Sequence, residues 1–482
     1  MLDKTSTTRR DVPFPIEDPE KIPKQRYYDA EFFELEREHL WPHIWQYACR
    51  LEEIPDIGDW TEYKILDMSV LVIRTADGVK AFNNACRHRG VRFATGTGNC
   101  AHKGFTCPFH GWRWNMDGEN IFVFGKHIFN EDLLDQAELN LVPVRVETWG
   151  GCAFINFDDD APSLLESLGP VAQRMDNRHV ENLKVEWWVS TVLPTNWKLA
   201  MEAFMEGYHV MATHPQLHKT SLPENNYYGD SGGGAAPTEP RNWEEWYDFM
   251  IVSRARLSSG MAGMIRPEEI EAMKDLRSEM LELLKDTPYP EPDFAKRRLV
   301  YGRLNEEFTR RGRDRNMPIF DLNQVAASQD FNAVEFMFPH YFLLPFWSAM
   351  SSYRVRPLTP ESCLFEIWSL AFYPEDEERP VPTPPEPIPY DSPDFPEIPA
   401  QDYSNLPLQQ LGLHDRGFAF MRLSREKEGM ISNYHRLIDG YLEGRDVEQL
   451  VAAQHIVNNG FDKVIRDIGF GPAWDEKTRS SR

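Results

Sequence analysis

Apolar residues near the start of the chain recur at helical spacing, and Phe32, Phe33, Leu35, Leu40 and Trp41 predict a helix within 26–47. From about 48 to 160 the rhythm shortens. Val70-Leu71-Val72-Ile73 runs into Asp77-Gly78 and resumes from Val79 to Phe82, the pattern of a hairpin. Trp114 before Asp117-Gly118, Val142 to Val146 and Cys152 to Phe157 continue it, so this stretch reads as a small all-β module.

Beyond 160 the pattern is mixed. Leu193-Pro194-Thr195-Asn196 leads into a helix-like run from Trp197 to about Thr213, with Thr195 or Asn196 as its cap. Gly232-Gly233-Gly234, among Asn, Asp and Pro, marks 221–240 as a loop. Pro267 opens a helix whose Ile270, Met273, Leu276, Met280 and Leu284 share one face. Residues 334–373, rich in Phe, Tyr, Trp and Val, predict antiparallel strands around a turn from Pro357 to Pro360. A last helix is predicted near 425–443 from Met430, Tyr434, Leu437 and Tyr441. Residues 374–399 hold ten prolines and eight acids against one base, which predicts an extended segment, either a linker or a strap across the surface.

Composition narrows the class. The 482 residues, 41 % apolar with 29 Phe, 17 Tyr and 14 Trp, can build two or three packed domains and exclude wholesale disorder. A net charge of −24 argues against a general nucleic-acid binder. No apolar run approaches the roughly 20 residues that span a bilayer, and the first ten residues lack the apolar stretch of a signal peptide. The expectation is a soluble, cytoplasmic protein with no membrane or nucleic-acid partner. Six cysteines are too few for a disulfide framework.

Two of those cysteines carry chemistry. Cys86-Arg87-His88-Arg89-Gly90 and Cys107-Pro108-Phe109-His110-Gly111-Trp112 each offer one thiolate and one imidazole, with 18 residues between His88 and Cys107. A zinc ribbon would more often use paired-cysteine knuckles, although zinc stays open. Two cysteines and two histidines suit a [2Fe–2S] cluster with both thiolates on one iron and both imidazoles on the other. Glycines at 90, 104 and 111 let such loops close tightly. Five basic residues (Arg87, Arg89, Arg92, Lys103, Arg113) and no acid lie between Cys86 and Trp114, either as a docking face for an acidic electron donor or as ordinary surface charge.

A second constellation follows Asn196. His209 and His214 are five apart, about 140° on an ideal helix. Pro215 biases His214 out of the α region, so the helix can end at Thr213 and His214 can turn back. Glu206 lies three residues before His209. His214 and His218 form a rival i,i+4 metal pair.

Together, CxH…CxxH and the segment 194–216 resemble the Rieske non-haem iron aromatic ring-hydroxylating oxygenases, large (alpha) subunit. The resemblance implies an α+β chain. An N-terminal helical segment, 1–43, packs on the catalytic domain. A Rieske domain spans 44–160, and a helix-grip (START-like) catalytic domain with a curved antiparallel sheet spans 161–482. It implies Cys86, His88, Cys107 and His110 as cluster ligands, and His209 and His214 as ligands of a mononuclear Fe(II), leaving His218 outside. The family's C-terminal pattern falls on Asp402, Gln410, Gly412, Leu423-Ser424, Glu426 and Tyr434-His435, which makes Asp402 the third ligand ahead of Asp415 and Asp439. Glu206 takes the place of the acid, often aspartate, that links the first histidine to a cluster histidine of the neighbouring subunit.

The implied activity uses O₂ and electrons from NAD(P)H, delivered by a separate reductase with or without a ferredoxin, in a homotrimer or an α₃β₃ assembly. No Gly-rich dinucleotide fingerprint followed by an acid is apparent in this chain. Met201, Phe204 and Met205 flank the iron motif, and the aromatic strands from Phe336 to Trp347 favour a flat apolar substrate, to be cis-dihydroxylated or monohydroxylated. Oxidative O- or N-demethylation is the alternative, and a quaternary amine would also suit aromatic walls. A non-catalytic Rieske electron carrier with a ligand-binding domain is the reading from another class. A zinc hydrolase on His209, His214 or His218 is the third.

Overall fold

The computed structural model describes residues 9–214, 240–260, 264–291, 293–328 and 332–472. Asp29 caps the helix Ala30–His39 by accepting from the Phe32 amide at 2.9 Å. The predicted helix over 26–47 is thereby cut into short pieces, with 3₁₀ turns at Lys24–Tyr27 and Trp41–His43. Pro42 has no N–H to extend the helical ladder, and the strand Gln46–Arg50 begins soon after it.

That strand is the edge of a seven-stranded antiparallel sheet in the order Gln46–Arg50, Cys152–Asn156, Pro143–Trp149, Gly78–Asn83, Met68–Thr75, Asp59–Ile65 and Thr97–Asn99. Three short strands, Phe105–Thr106, Arg113–Trp114 and Asn120–Phe122, form a second sheet. Both close over one small core that includes Leu71, Ile73, Phe82, Trp114 and the two cysteines of the paired loops.

The larger unit is built on a five-stranded antiparallel sheet, Lys184–Leu193, Ser362–Ala371, Ala349–Thr359, Tyr341–Pro345 and Glu335–Met337 in spatial order. Tyr353 pairs with Ile367 and Ser352 with Trp368, so alternate residues serve two cores. Tyr353, Ile367, Phe365 and Phe342 face the helices Trp197–Glu202 and Gly429–Glu443. Trp368, Tyr341 and Leu370 face the helical region and Tyr47 and Phe154 of the β module. The Gly429–Glu443 helix is gripped by the sheet: Tyr434 meets Phe336 and Phe338 edge-on, and its hydroxyl donates to the Pro339 carbonyl at 2.9 Å. Arg354 forms a bidentate pair with Glu366 (2.7 and 2.8 Å) and also donates to the carbonyls of Tyr47 and Ala48, tying the two sheets together.

Several expectations change. The run from Trp197 to Thr213 is two helices, Trp197–Glu202 and Val210–Thr213, with the intervening residues in turns. The helix from Pro267 breaks at Leu276, whose ψ of −5° leaves helical geometry, into Pro267–Asp275 and Arg277–Leu284. Helices at Trp243–Gly260, Ala295–Asp314, Leu322–Ala327 and Val447–Asn458 carried no clear sequence signal. The 221–240 loop, except residue 240, and His218 lie outside the described residues.

The segment 374–399 is a strap. Ile388 donates to the Ser190 carbonyl at 2.9 Å, the Ser190 hydroxyl donates to Pro385 O at 3.2 Å, and Arg379 donates to Val185 O at 3.3 Å. It lies along the exposed edge of Lys184–Leu193, and its prolines, having no N–H, offer no donors to a further strand. Its last three residues are not extended, as the sequence predicts, but open the helix Glu397–Leu413; Pro399 is tolerated there because first-turn amides need no partner within the helix. No helix among the described residues is long and apolar enough to cross a membrane.

Candidate metal centres

The two Cys/His loops have the same backbone plan. Gly90 N donates to Cys86 O at 2.9 Å, and Gly111 N donates to Cys107 O at 3.0 Å. Both glycines sit in the left-handed region, at φ +73° and +70°, and an added Cβ would meet nothing within 4 Å at either. Conformation, and not space, is what demands glycine there. The loops bring like ligands together: the His88 and His110 rings are 4.6 Å apart, and Cys86 and Cys107 are buried side by side. His88 Nδ1 is buried with no hydrogen-bond partner, as a nitrogen aimed at a metal would be. Segregated thiolates and imidazoles suit a two-iron cluster and suit a single tetrahedral ion less well.

The second centre gathers residues far apart in sequence. His214 Nε2 lies 3.1 Å and His209 Nε2 3.7 Å from Asp402 Oδ1. Among the described residues, these three form the group of His, Cys, Asp and Glu whose ligand atoms all lie within 4.8 Å of one another. Ligands about 2.1 Å from one ion and at right angles would be about 3 Å apart, so the set fits a metal. The outer nitrogens settle which ring atoms face inward. His209 Nδ1 is 2.6 Å from Glu206 Oε1 and His214 Nδ1 is 2.7 Å from Gln401 Oε1. Both partners accept, so each Nδ1 carries the proton and each Nε2 presents a lone pair.

Glu206 does more than share a helix face with His209. Its Oε2 also accepts the His209 amide at 3.0 Å, which holds the turn between the two helices. Burial pulls the His209 pKa down, but the Glu206 hydrogen bond and the charges of Glu206 and Asp402 outweigh it, and the net shift is upward. His214 ends the helix at Thr213, as Pro215 predicts. Asp402 is in the second turn of the Glu397–Leu413 helix. Of its competitors, Asp439 is bound to Arg26 at 2.5 Å, and Asp415 Oδ1 accepts the Gly417 amide. Gln410 anchors the iron-motif loop by accepting from Asn196 N at 2.9 Å.

A cavity of about 280 Å³ opens beside this centre, lined by His209, Asp402, Glu206, Glu202, Glu428, Arg422 and neighbouring apolar residues. Met201 and Met205 do not line it; both are fully buried in the main core. Phe204 lies between the helix break and the sheet, 4.5 Å from the Phe342 ring, 5.2 Å from Tyr353 and 5.9 Å from Phe365. Sequence reading missed Gln401 and Glu202. Gln401 adjoins Asp402, and Glu202 is one helical turn before Glu206; neither carries a motif of its own.

A Cys/His two-loop β module joined to a two-histidine, one-carboxylate centre on a helix-gripping sheet defines a protein with two iron centres. The Rieske [2Fe–2S] domain family matches residues 44–123, and the catalytic domain of the ring hydroxylating alpha subunit matches 179–444, more than half of the chain. The chain belongs to the ring hydroxylating alpha subunit family, whose Rieske cluster and mononuclear iron fit the residues at both places.

It is 35 % identical over 207 residues to 2-aminobenzenesulfonate 2,3-dioxygenase subunit alpha of an Alcaligenes species, covering 42 % of this chain and 52 % of that one. It is 34 % identical over 202 residues to the glycine betaine monooxygenase oxygenase subunit of Pseudomonas aeruginosa, covering 42 % and 46 %. The match thus spans about half the length of these curated relatives. Naphthalene 1,2-dioxygenase with indole bound shares the fold at a TM-score of 0.58 and 19 % identity, over 92 % of this chain and 96 % of that one.

Proposed function

We propose that this chain is the terminal oxygenase of a Rieske non-haem iron system, which uses O₂ and NAD(P)H-derived electrons to hydroxylate an apolar, aromatic substrate. One observation carries the reading: two inward-facing Nε2 atoms and one carboxylate oxygen converge at a single point. A two-histidine, one-carboxylate set leaves coordination positions open, which an electron carrier does not need. When bound, Fe(II) at this triad supplies the O₂ chemistry, and a cluster held by Cys86, His88, Cys107 and His110 supplies the electrons. The protein's part is positional. Glu206 and Gln401 fix the two imidazoles, and half-buried Phe204, backed by the core rings of Phe342 and Tyr353, offers an aromatic face at the helix break for a flat ligand.

A second reading, oxidative demethylation of a quaternary amine, is favoured by the likeness to glycine betaine monooxygenase, and the face of Phe204 would also attract a cation.

Assembly into a trimer has support on the surface. The cluster end exposes Phe109 under Arg89, and Phe124 and Ile128 beside Lys126, while the helix that carries Asp402 exposes Leu408 and Leu411 beside the acidic mouth at Glu206. Docking of one copy's cluster end on the next copy's mouth would bring a cluster histidine to Glu206. The electron donor, a reductase with or without a ferredoxin, would be a separate chain, for which the exposed Arg87, Arg89, Arg92, Lys103 and Arg113 offer a basic face.

Iron and acid-labile sulfide, measured in anaerobically purified wild type and His209→Ala, test the centres. About three irons and two sulfides per chain, with one iron lost in the variant, are expected. Two irons in both, after Fe(II) reconstitution, would leave an electron carrier. Oxygen uptake with naphthalene and with glycine betaine as probes, using reduced ferredoxin as donor, then separates the two substrate readings.

A further inference from the structure

A buried carboxyl with no assigned role faces the iron cavity. Glu202 is 6 % exposed and lines the same cavity as His209 and Asp402. Its Oε1 is 2.7 Å from His435 Nε2, and its Oε2 accepts from the Tyr27 hydroxyl at 3.2 Å. Arg26 decides the tautomer of His435. The Arg26 Nε–H donates to His435 Nδ1 at 3.3 Å, and a guanidinium cannot accept, so the imidazole proton is on Nε2 and points at Glu202. The same Nε2–H also lies 2.9 Å from the Tyr27 oxygen, so His435, Tyr27 and Glu202 close one network in which both Nε2–H and the Tyr27 hydroxyl can donate to the carboxyl.

The charges around it cancel without it. Lys198 is paired with Glu36 at 2.5 Å, and Arg26 with Asp439 at 2.5 Å. His435 is held neutral by burial, and burial keeps Tyr27 and Tyr434 protonated. On the cavity side, Arg422 is exposed at the rim, where solvent screens it, and an Fe(II) would be balanced by the Asp402 and Glu206 carboxylates. Glu428, whose own pKa burial raises, adds no cation. Ionised Glu202 would be an unbalanced buried charge, so its neutral form is favoured. Burial, helped by the charge of Glu428, outweighs the Tyr27 hydrogen bond and the Lys198 and Arg26 charges and pushes its pKa up to about 8.

We propose that Glu202 is the proton donor of the iron cavity, holding one proton at rest and releasing it to the reduction of O₂. Either outcome at the substrate consumes two protons: RH + O₂ + 2e⁻ + 2H⁺ gives ROH and H₂O, and an arene with the same reagents gives the cis-diol. Electrons come from the reductase. Glu202 breaks its O–H bond to supply one proton and solvent supplies the second; the carboxylate left behind is held by Tyr27 O–H and His435 Nε2–H, and water returns the proton afterwards. The inference rests on the oxygenase activity proposed above and holds for either substrate reading.

The test compares iron- and cluster-loaded wild type, Glu202→Gln and Glu202→Asp. Infrared spectra of the resting proteins, titrated from about pH 6 to about pH 10, are expected to show a protonated-carboxyl C=O band that disappears near pH 8 in wild type and is missing from Glu202→Gln. With whichever probe the wild type oxidises, Glu202→Gln is expected to turn over about 100-fold more slowly at unchanged iron content, and Glu202→Asp to recover part of that loss. If Glu202→Gln fails to fold, the shifted band and rate of Glu202→Asp decide instead. Identical infrared titrations for wild type and both variants, or a Gln variant working at the wild-type rate, would overturn the proposal. Absence of triad iron in the wild type would instead sink the oxygenase reading, while the infrared band would still report on Glu202.

Discussion

Gln401→Leu isolates what orientation of a ligand is worth at this centre. The change removes the acceptor 2.7 Å from His214 Nδ1 and leaves all three metal-facing atoms in place. His214 is 2 % exposed, so water does not readily replace the lost amide. In the metal-free protein the bond is neutral and worth about 1 kcal/mol; with a cation on Nε2 it becomes charge-assisted and worth about 2–3 kcal/mol. The difference, about 1–2 kcal/mol, is roughly a tenfold loss of Fe(II) affinity. Leucine should also lower the stability of the metal-free protein by about 1 kcal/mol. Anaerobic Fe(II) titration against a competing chelator measures the first quantity and urea unfolding the second. The visible spectrum of the cluster serves as an internal control and should be unchanged. Unaltered Fe(II) affinity in a protein with the expected stability loss would refute the assignment of Nδ1–H to the outer side of His214.

Further outcomes follow from other sites. Gly111→Ala forces alanine into φ +70° at a cost of about 1–2 kcal/mol, and acid-labile sulfide should fall while triad iron persists. Glu366→Gln leaves buried Arg354 without its counter-ion and should destabilise by about 3–5 kcal/mol in chemical denaturation. Glu53 has a pKa pushed by burial to about 7. Unfolding exposes a carboxyl of ordinary pKa, so the native state holds the extra proton, and its contribution is full below about pH 4.5 and is lost as pH rises through 7. Glu53→Gln should therefore flatten the fall in stability between about pH 5 and 7, by on the order of 2 kcal/mol, in unfolding curves taken across that range.

What was legible in the sequence was local. The Cys86–Gly90 and Cys107–Gly111 loops are five-residue turns, so ligand, spacing and glycine all stand within one hydrogen-bonded ring each. Pro215 likewise announced where the helix before His214 stops. Other features depended on contacts that no short window contains. The helix break at Glu206 exists because its carboxylate turns back onto the His209 amide, and periodicity cannot register a side chain competing with the backbone. Asp402 came only from a resemblance; the chain itself does not say which of several acids arrives beside histidines 188 and 193 residues earlier. The proline-rich segment could be predicted extended from composition, but whether it is free or sealed to the edge at Ser190 is decided by the sheet it lies on. Glu202 shows the division most sharply. As a residue in sequence it is one more helical glutamate; its burial, its two donors and the pairing of Lys198 and Arg26 with other acids exist only once Tyr27, Lys198 and His435 are folded together. Residue chemistry set what each centre could bind, and tertiary structure decided which atoms face inward and which carboxyl stays neutral, because both follow from long-range contacts and from the exclusion of water.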